Sequence, residues 1–427
     1  MLTRVRWPSV LRDEPQYRLL FGSQVLSVLG DRVTMVALPF AVLASGGDVG
    51  GVALVSAAQF LPFVLLALPA GVWADRWNRK WILVASDLVR LVCQVVAAGL
   101  LLTDRAGVGQ LAVLAAVYGA ADAFFAPAFS GLLPTTVSPA NIQPANALRG
   151  LSFSAGSILG PVLAGLLIAV TGGPGGAFLF DAATFAVSIG LLLPLRPGQV
   201  EAVAEEDPAA STDRFLTSLR EGWGEVRSRS WVMAFLGGLA SYHVFVLPSI
   251  FVVGPVLMAQ ELDGARSWAI VSVGFGLGSI LGDLLFLRWR PAYALRVASL
   301  MLVGASCQAA FIGSGLGAWG IGALEVLAGI CVTGAFTLWE TSLGEHIPEG
   351  ALSRVSSYDY LTSTGLIPLG NLIAGLVSAS VGLRPALFGM SALGIGAALL
   401  VGAVPGVRRL PRPLTDPPAP AAPGAPA

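Results

Sequence analysis

Charge is scarce in this chain. Only 12% of its 427 residues are Asp, Glu, Lys or Arg, against about 25% in a soluble globular protein. The 25 basic and 25 acidic residues cancel, and Lys80 is the one lysine. Without a basic excess or a basic tract, nucleic-acid binding is excluded as a reading. Cysteine and histidine are as sparse. Cys93, Cys307 and Cys331 each lie inside an apolar run without metal-ligand spacing, and His243 and His346 are far apart. Neither a disulfide framework nor a zinc site is expected. No Gly-x-x-x-x-Gly-Lys-[Ser/Thr] loop and no catalytic triad can be found, so ATP hydrolysis and enzyme chemistry in general find no support. Met1 to Arg18 mixes Arg4, Arg6, Arg12 and Arg18 with Asp13 and Glu14 and shows no cleavage site, unlike a signal peptide.

Apolar residues are what the chain has in quantity, at 55%. A water-soluble protein of this composition would need a larger core than single domains build. Lipid is the simpler solvent. About 20 mostly apolar residues cross a bilayer as a helix, and twelve runs of that kind are present: 19–44, 50–74, 81–103, 109–133, 148–171, 176–195, 231–258, 267–287, 293–314, 318–341, 357–380 and 384–405. They are continuously apolar instead of alternating, which argues against strands. The fold class expected is an all-α membrane protein of twelve transmembrane helices.

Basic residues set the orientation. With the N-terminus inside, 20 of the 25 fall in inner segments, three (Arg105, Arg266, Arg384) fall outside, and Arg32 and Arg90 lie within helices. Both termini are therefore expected in the cytoplasm, in the inner (plasma) membrane. The charged, Pro/Ala-interrupted stretch 196–230 splits the spans six and six. The expected organisation is a bundle over 1–195, a cytoplasmic linker over 196–230, a second bundle over 231–412, and a disordered Pro/Ala-rich tail over 413–427. Phe215, Leu219 and Trp223 recur every four residues, so Arg214 to Arg229 is expected to form an amphipathic helix on the inner membrane face. A weak echo at an offset of 210 aligns Gly160, Ala164, Gly165 and Leu166 with Gly370, Ala374, Gly375 and Leu376. Together with the equal span counts, it suggests two related halves, a pattern of secondary transporters.

Two motifs stand out. Gly71-Val-Trp-Ala-Asp75-Arg76-Trp-Asn-Arg79-Lys80 joins the second and third spans. Gly71 is expected to allow close helix approach, and Asp75 to meet the N–H groups of another helix start, where an anion is favoured. Arg76, Arg79 and Lys80 would hold the turn at the surface. In the fifth span, Gly156, Gly160 and Ala164 share one face at a spacing of four, next to Pro161 and Gly165. Such a face permits tight packing, and Pro161 removes a backbone hydrogen bond. An ordinary packing face describes the same residues.

The first stretch resembles motif A of the major facilitator superfamily, and the second resembles that family's motif C, with Ala164 in place of a glycine. Tyr17-Arg-Leu-Leu-Phe-Gly-Ser-Gln24, Gly30-Asp31, Asp87-Leu-Val-Arg90, Phe125-Ala-Pro127-Ala and Phe180-Asp181-Ala-Ala-Thr-Phe resemble the branch of enterobactin exporters and macrolide efflux proteins. The resemblance implies two six-helix bundles, a conformational latch at motif A, antiport, and a central cavity lined by the first and fourth helices. One departure is clear: the fourth span lacks the arginine that related drug:proton antiporters carry, and Arg90 in the third span is the candidate to serve at the substrate or proton site instead.

Ionisable groups inside a membrane are costly and so are candidates for function. Asp31 lies about 18 Å along the first span by helix rise, and Asp122 is at similar depth in the fourth. They are the candidates for a protonatable site or for binding a cationic substrate. Asp31 pairing with Arg32 or Arg90 is the bland alternative. Asp87 and Arg90, three apart, are expected to form a structural pair near the inner surface. Glu325 in the tenth span is a cavity candidate, His243 a packing residue or relay, and Phe125 a contact for an apolar substrate.

The expected function is export of a small amphipathic or cationic molecule by alternating access, driven by the proton gradient with no cofactor. The partners are substrate and lipid, and the chain acts as a monomer. Siderophore export, lipid flipping, and a non-transporting membrane sensor are the alternatives.

Overall fold

The structure is a computed structural model that describes residues 9–198, 220 and 222–412. The tail beyond 412 and most of the expected linker helix, including Phe215 and Leu219, lie outside the described residues, as does the side chain of Asp75. Residues 222–228 are helical, and Trp223 lies against Tyr358 at 5.7 Å between ring centroids.

Twelve helices among the described residues are long and apolar enough to cross a membrane. They run Pro15–Ala44, Val49–Ala67, Arg79–Leu102, Val108–Thr135, Pro139–Thr171, Gly175–Leu192, Ser230–Glu261, Ala265–Arg288, Ala294–Ile312, Ala318–His346, Gly350–Val381 and Leu383–Ala403. No strand occurs among the described residues. Continuous apolar sequence dictates this outcome: in lipid the backbone must satisfy its own hydrogen bonds, and a helix does so within one segment. Every expected span has its helix. The second runs on as helix to Arg76.

Packing partners repeat with a shift of six spans. In the first half, span 1 packs on 6 and 5, span 3 on 6, and span 2 on 4. In the second half, span 7 packs on 12 and 11, span 9 on 12, and span 8 on 10. The halves meet through spans 5 and 8 and through spans 2 and 11, which are again equivalent pairs. The protein is thus two related six-helix bundles.

Glycine makes the contact between the halves. A methyl group on Gly165 would stand 2.9 Å from the Ala269 Cβ, and one on Gly276 would stand 3.0 Å from the Ser157 carbonyl oxygen. A methyl on Gly375 would overlap the Ala53 Cβ. Gly165, Ala269, Gly375 and Ala53 all belong to the end of the bundle that carries the short loops 45–48, 172–174 and 262–264. At that end the halves are closed on each other.

Four spans are interrupted, and three of the breaks have a proline cause. The fourth changes from Val108–Asp122 to Phe125–Leu132 just after Asp122; Pro127 lacks the N–H that would bond the Ala123 carbonyl. The seventh widens into π-turns at Tyr242–Val246 and Ser249–Val253 around Pro248 and Pro255. The eleventh breaks between Ser363 and Ile367, beside Pro368. The ninth changes at Cys307. The fifth passes through Pro161 as one helix, Ile142–Thr171.

Candidate transport site

Arg90 is the charged centre of the first bundle. It is fully buried and faces three carboxylates. Its Nη2 donates to Asp87 Oδ1 at 2.6 Å, and its Nη1 lies 3.1 Å from Asp122 Oδ1 and 3.5 Å from Asp31 Oδ1. Its flat faces lie on aromatic rings, with Cζ 4.5 Å from the Phe185 centroid and 4.7 Å from that of Phe125. Such cation–ring contacts help hold a desolvated guanidinium. Tyr118 donates its hydroxyl to Asp31, and Ser188 donates to Asp87 Oδ2 at 2.5 Å.

The three acids differ in access. The Asp87 side chain is sealed, whereas those of Asp31 and Asp122 are 34% and 36% exposed and line a cavity of about 170 Å³. The pair expected near the inner surface is therefore the buried part of a four-residue cluster. Asp31 pairs with Arg90; Arg32 takes no carboxylate partner among the described residues. Phe125 lies under Arg90 and stacks on Phe129 at 6.1 Å, so its place is in the wall behind the cluster.

A second buried acid, Asp181, is held separately. Its Oδ2 accepts from Gln94 at 2.6 Å and from Thr34 at 2.8 Å. Gly30 is its counterpart: a methyl there would stand 3.0 Å from the Asp181 Cγ. This arrangement fastens spans 1, 3 and 6 together.

The second bundle carries its own polar line. Tyr242 donates to Gln308 Oε1 at 2.9 Å, and Gln308 Nε2 donates to Glu325 Oε2 at 2.7 Å. Glu325 Oε1 is buried without a partner among the described residues, and the residue is 1% exposed. His243 Nδ1 lies 2.7 Å from the Leu239 carbonyl oxygen; a carbonyl only accepts, so this nitrogen carries the proton. His243, Gln308 and Glu325 line a cavity of about 230 Å³ between the bundles. Arg32, Met35 and Phe251 line both this cavity and the one beside Asp31.

The motif-A residues serve as anchors at the other end of the bundle. Arg79 Nη1 donates to the Gly131 carbonyl at 2.9 Å, and Lys80 Nζ donates to that of Leu193 at 2.6 Å. Cations there satisfy carbonyls at the ends of the fourth and sixth spans. Arg76 is exposed. Gly71 does not bring helices together: a methyl on it would meet no atom within 4 Å, because the second and eleventh spans touch at their far ends. In the fifth span, Gly156 and Gly160 face the first span, Gly165 faces the eighth, and Ala164 and Pro161 are buried.

Sequence reasoning singled out Asp31, Asp122, Arg90 and Glu325, and the structure brings the first three together. It missed Tyr118 and Gln308 as their partners, and Gln94 as the partner of Asp181. Polar residues inside apolar runs were the available signal.

Paired bundles of membrane-spanning helices with buried charges beside a cavity between them fit a multi-pass membrane transporter. The profile of the Major Facilitator Superfamily matches residues 20–367. The chain belongs to that superfamily. It is 28% identical over 434 residues to the enterobactin exporter EntS of Citrobacter koseri, covering 96% of this chain and 97% of that protein. It is 24% identical over 421 residues to the multidrug efflux pump Tap of Mycobacterium bovis, covering 93% and 94%. An uncharacterised transporter of Mycobacterium tuberculosis matches over 291 residues at 28% identity; there the chain spans 66% of the relative's length. Among solved structures, a peptide transporter in complex with sulfate superposes with a TM-score of 0.73 at 12% identity, covering 94% and 96% of the two chains. A bacterial homologue of the iron transporter ferroportin in an inward-facing state gives 0.68 at 18%, covering 92% and 98%. These likenesses show the fold.

Proposed function

We propose that the chain is a secondary active exporter of a small amphipathic molecule, working by alternating access in exchange for protons. The observation that carries this reading is the cluster of Arg90 with Asp31, Asp87 and Asp122 beside the inter-bundle cavity. Three ionised carboxylates around one guanidinium leave two negative charges beyond what it can balance within the membrane. Uptake of one proton removes one of them, and such a group titrates as a unit. Asp87 is sealed, so a proton reaches the cluster through Asp31 or Asp122, which face the cavity. Since Arg90 and Tyr118 already occupy these two acids, a proton role suits them better than holding a cationic substrate. Glu325 is a second buried acid on the other wall of the pathway.

Export is favoured by the relatives, which include a siderophore exporter and a drug pump. The distribution of basic residues favours an inner-membrane chain with both termini in the cytoplasm. On that orientation, the closed end lies outside and the described state faces the cytoplasm. A proton entering through a membrane potential releases about 2.3 kcal/mol per 100 mV. Proton-driven efflux in everted vesicles should be lost in Asp31→Asn or Asp122→Asn; full coupling in the double variant would remove the cluster from the role.

A further inference from the structure

The acids around the two cavities each have a donor. Asp31 takes Tyr118 and Arg90, Asp122 takes Arg90, Asp87 takes Arg90 and Ser188, Asp181 takes Gln94 and Thr34, and Glu325 takes Gln308. Among the described residues Arg32 is the charged group here without a hydrogen-bonded carboxylate: its opposite charge is Asp31, which Tyr118 and Arg90 already occupy. The one hydrogen-bond contact of Arg32 among the described residues is Nη1 to the Met35 thioether at 3.9 Å, and thioether sulfur is a weak acceptor. A guanidinium has five N–H donors; Arg32 is half-buried and lines both cavities, so its donors are open to whatever occupies them. What this site requires from a ligand is therefore an acceptor.

The placement of Arg32 makes the requirement specific. It stands where the two cavities adjoin, and their walls carry Phe60, Phe153 and Phe251 on one side and Trp268, Phe275 and Phe336 on the other. The fifth span fixes its backbone through Gly160, which leaves no room for a side chain between the helices. A planar fork of donors held in an aromatic surrounding matches a two-oxygen acid on a ring system.

We propose that Arg32 is the recognition site for an anionic substituent, a carboxylate or a comparable acid, so that the exported substrate is an amphipathic aromatic anion. This rests on the reading of the inter-bundle cavity as the transport site. Exchange of a proton inward for an anion outward also moves charge in the direction that an inside-negative potential drives.

The test uses the purified full-length chain in detergent micelles and three probes with one ring system: 1-naphthoate, 1-naphthamide and 1-naphthylmethylamine. Calorimetric titration should show naphthoate bound about tenfold or more tighter than the other two. Arg32→Gln should lose that preference, and Arg32→Lys should keep part of it. An unchanged unfolding temperature of ligand-free Arg32→Gln would separate this loss from misfolding. The proposal is overturned if the amine binds as well as naphthoate, if none of the three binds, or if Arg32→Gln keeps the preference. Uptake of the same probes by proteoliposomes separates the two readings. Naphthoate bound through Arg32 but never carried contradicts transport and leaves the anion site standing. Carriage of the amine without naphthoate does the reverse.

Discussion

Gly160 of the fifth span lies directly against the backbone of Arg32 in the first. A methyl group built on it would stand 3.0 Å from the Arg32 carbonyl carbon and 3.3 Å from its Cα. Neither atom is the end of a flexible side chain, so the helices themselves would have to separate. Gly160→Ala should therefore destabilise the protein by about 1–3 kcal/mol, the usual cost of overpacking, and should weaken substrate binding as Arg32 shifts. Thermal unfolding in detergent checks this. Gly71→Ala, where a methyl meets nothing, is the control and should leave the unfolding temperature unchanged in this state.

Removing Arg90 should hurt more than removing any of its partners. Arg90→Leu strands three carboxylates within the membrane, of which Asp87 is sealed from water, and breaking a buried pair from one side costs about 3–5 kcal/mol. Asp122→Asn keeps the shape of the side chain and leaves Arg90 two acids. It should fold normally and lose proton coupling. Expression level and unfolding temperature separate the two variants. A stable, abundant Arg90→Leu protein would contradict the cluster's geometry.

The closed end of the bundle offers a conformational test. Gly165 and Gly375 seat Ala269 and Ala53 across the interface. Leucine at both positions should wedge the halves apart there. With Cys93, Cys307 and Cys331 replaced by serine, a cysteine at Met35, which lines both cavities, should react several-fold faster with an impermeant maleimide added from that side. No change in rate would place the closure elsewhere.

Glu14 ties the start of the first span to the turn between the fourth and fifth. Its Oε1 accepts from the Ser138 amide at 2.9 Å, from the Ser138 hydroxyl at 2.7 Å and from Asn141 at 2.9 Å. The Ser138 amide, followed by Asn141 and the Ser138 hydroxyl, holds its carboxyl below the ordinary glutamate range. A lowered value in the folded state means that the clip is complete above about pH 4.3, the free glutamate value, and is lost as pH falls through the lower folded value. Amide exchange over 136–141, corrected for its intrinsic pH dependence, should lose protection in that acid range. Glu14→Gln should show the lower protection already at pH 7.

Long uncharged runs made the twelve spans legible in the sequence, because nothing but a helix satisfies such a segment in lipid. Buried acids were legible for a similar reason: Asp31, Asp122 and Glu325 interrupt apolar runs at a cost that needs a cause. Their pairing was not legible. Arg90 is three residues from Asp87, but Asp31 and Asp122 reach it only through the packing of three helices. Nor could the chain alone tell Arg90, saturated with carboxylates, from Arg32, which has none. Gly71 misled because spacing shows where a small residue sits, whereas the state of the bundle decides whether a neighbour is there. The breaks beside Asp122 and around His243 follow from Pro127 and Pro248, a signal the apolar runs conceal.

The central claim is that this chain exchanges protons for an organic substrate through the Asp31–Arg90–Asp122 cluster. Everted vesicles carrying a pH-sensitive dye, challenged with a panel of aromatic acids, amines and neutral analogues, test it most directly. At least one compound should draw protons across the membrane, the flux should be lost in Asp122→Asn, and substrate-for-substrate exchange should persist in the same variant. Undiminished proton flux in the Asp31→Asn/Asp122→Asn double variant would contradict it.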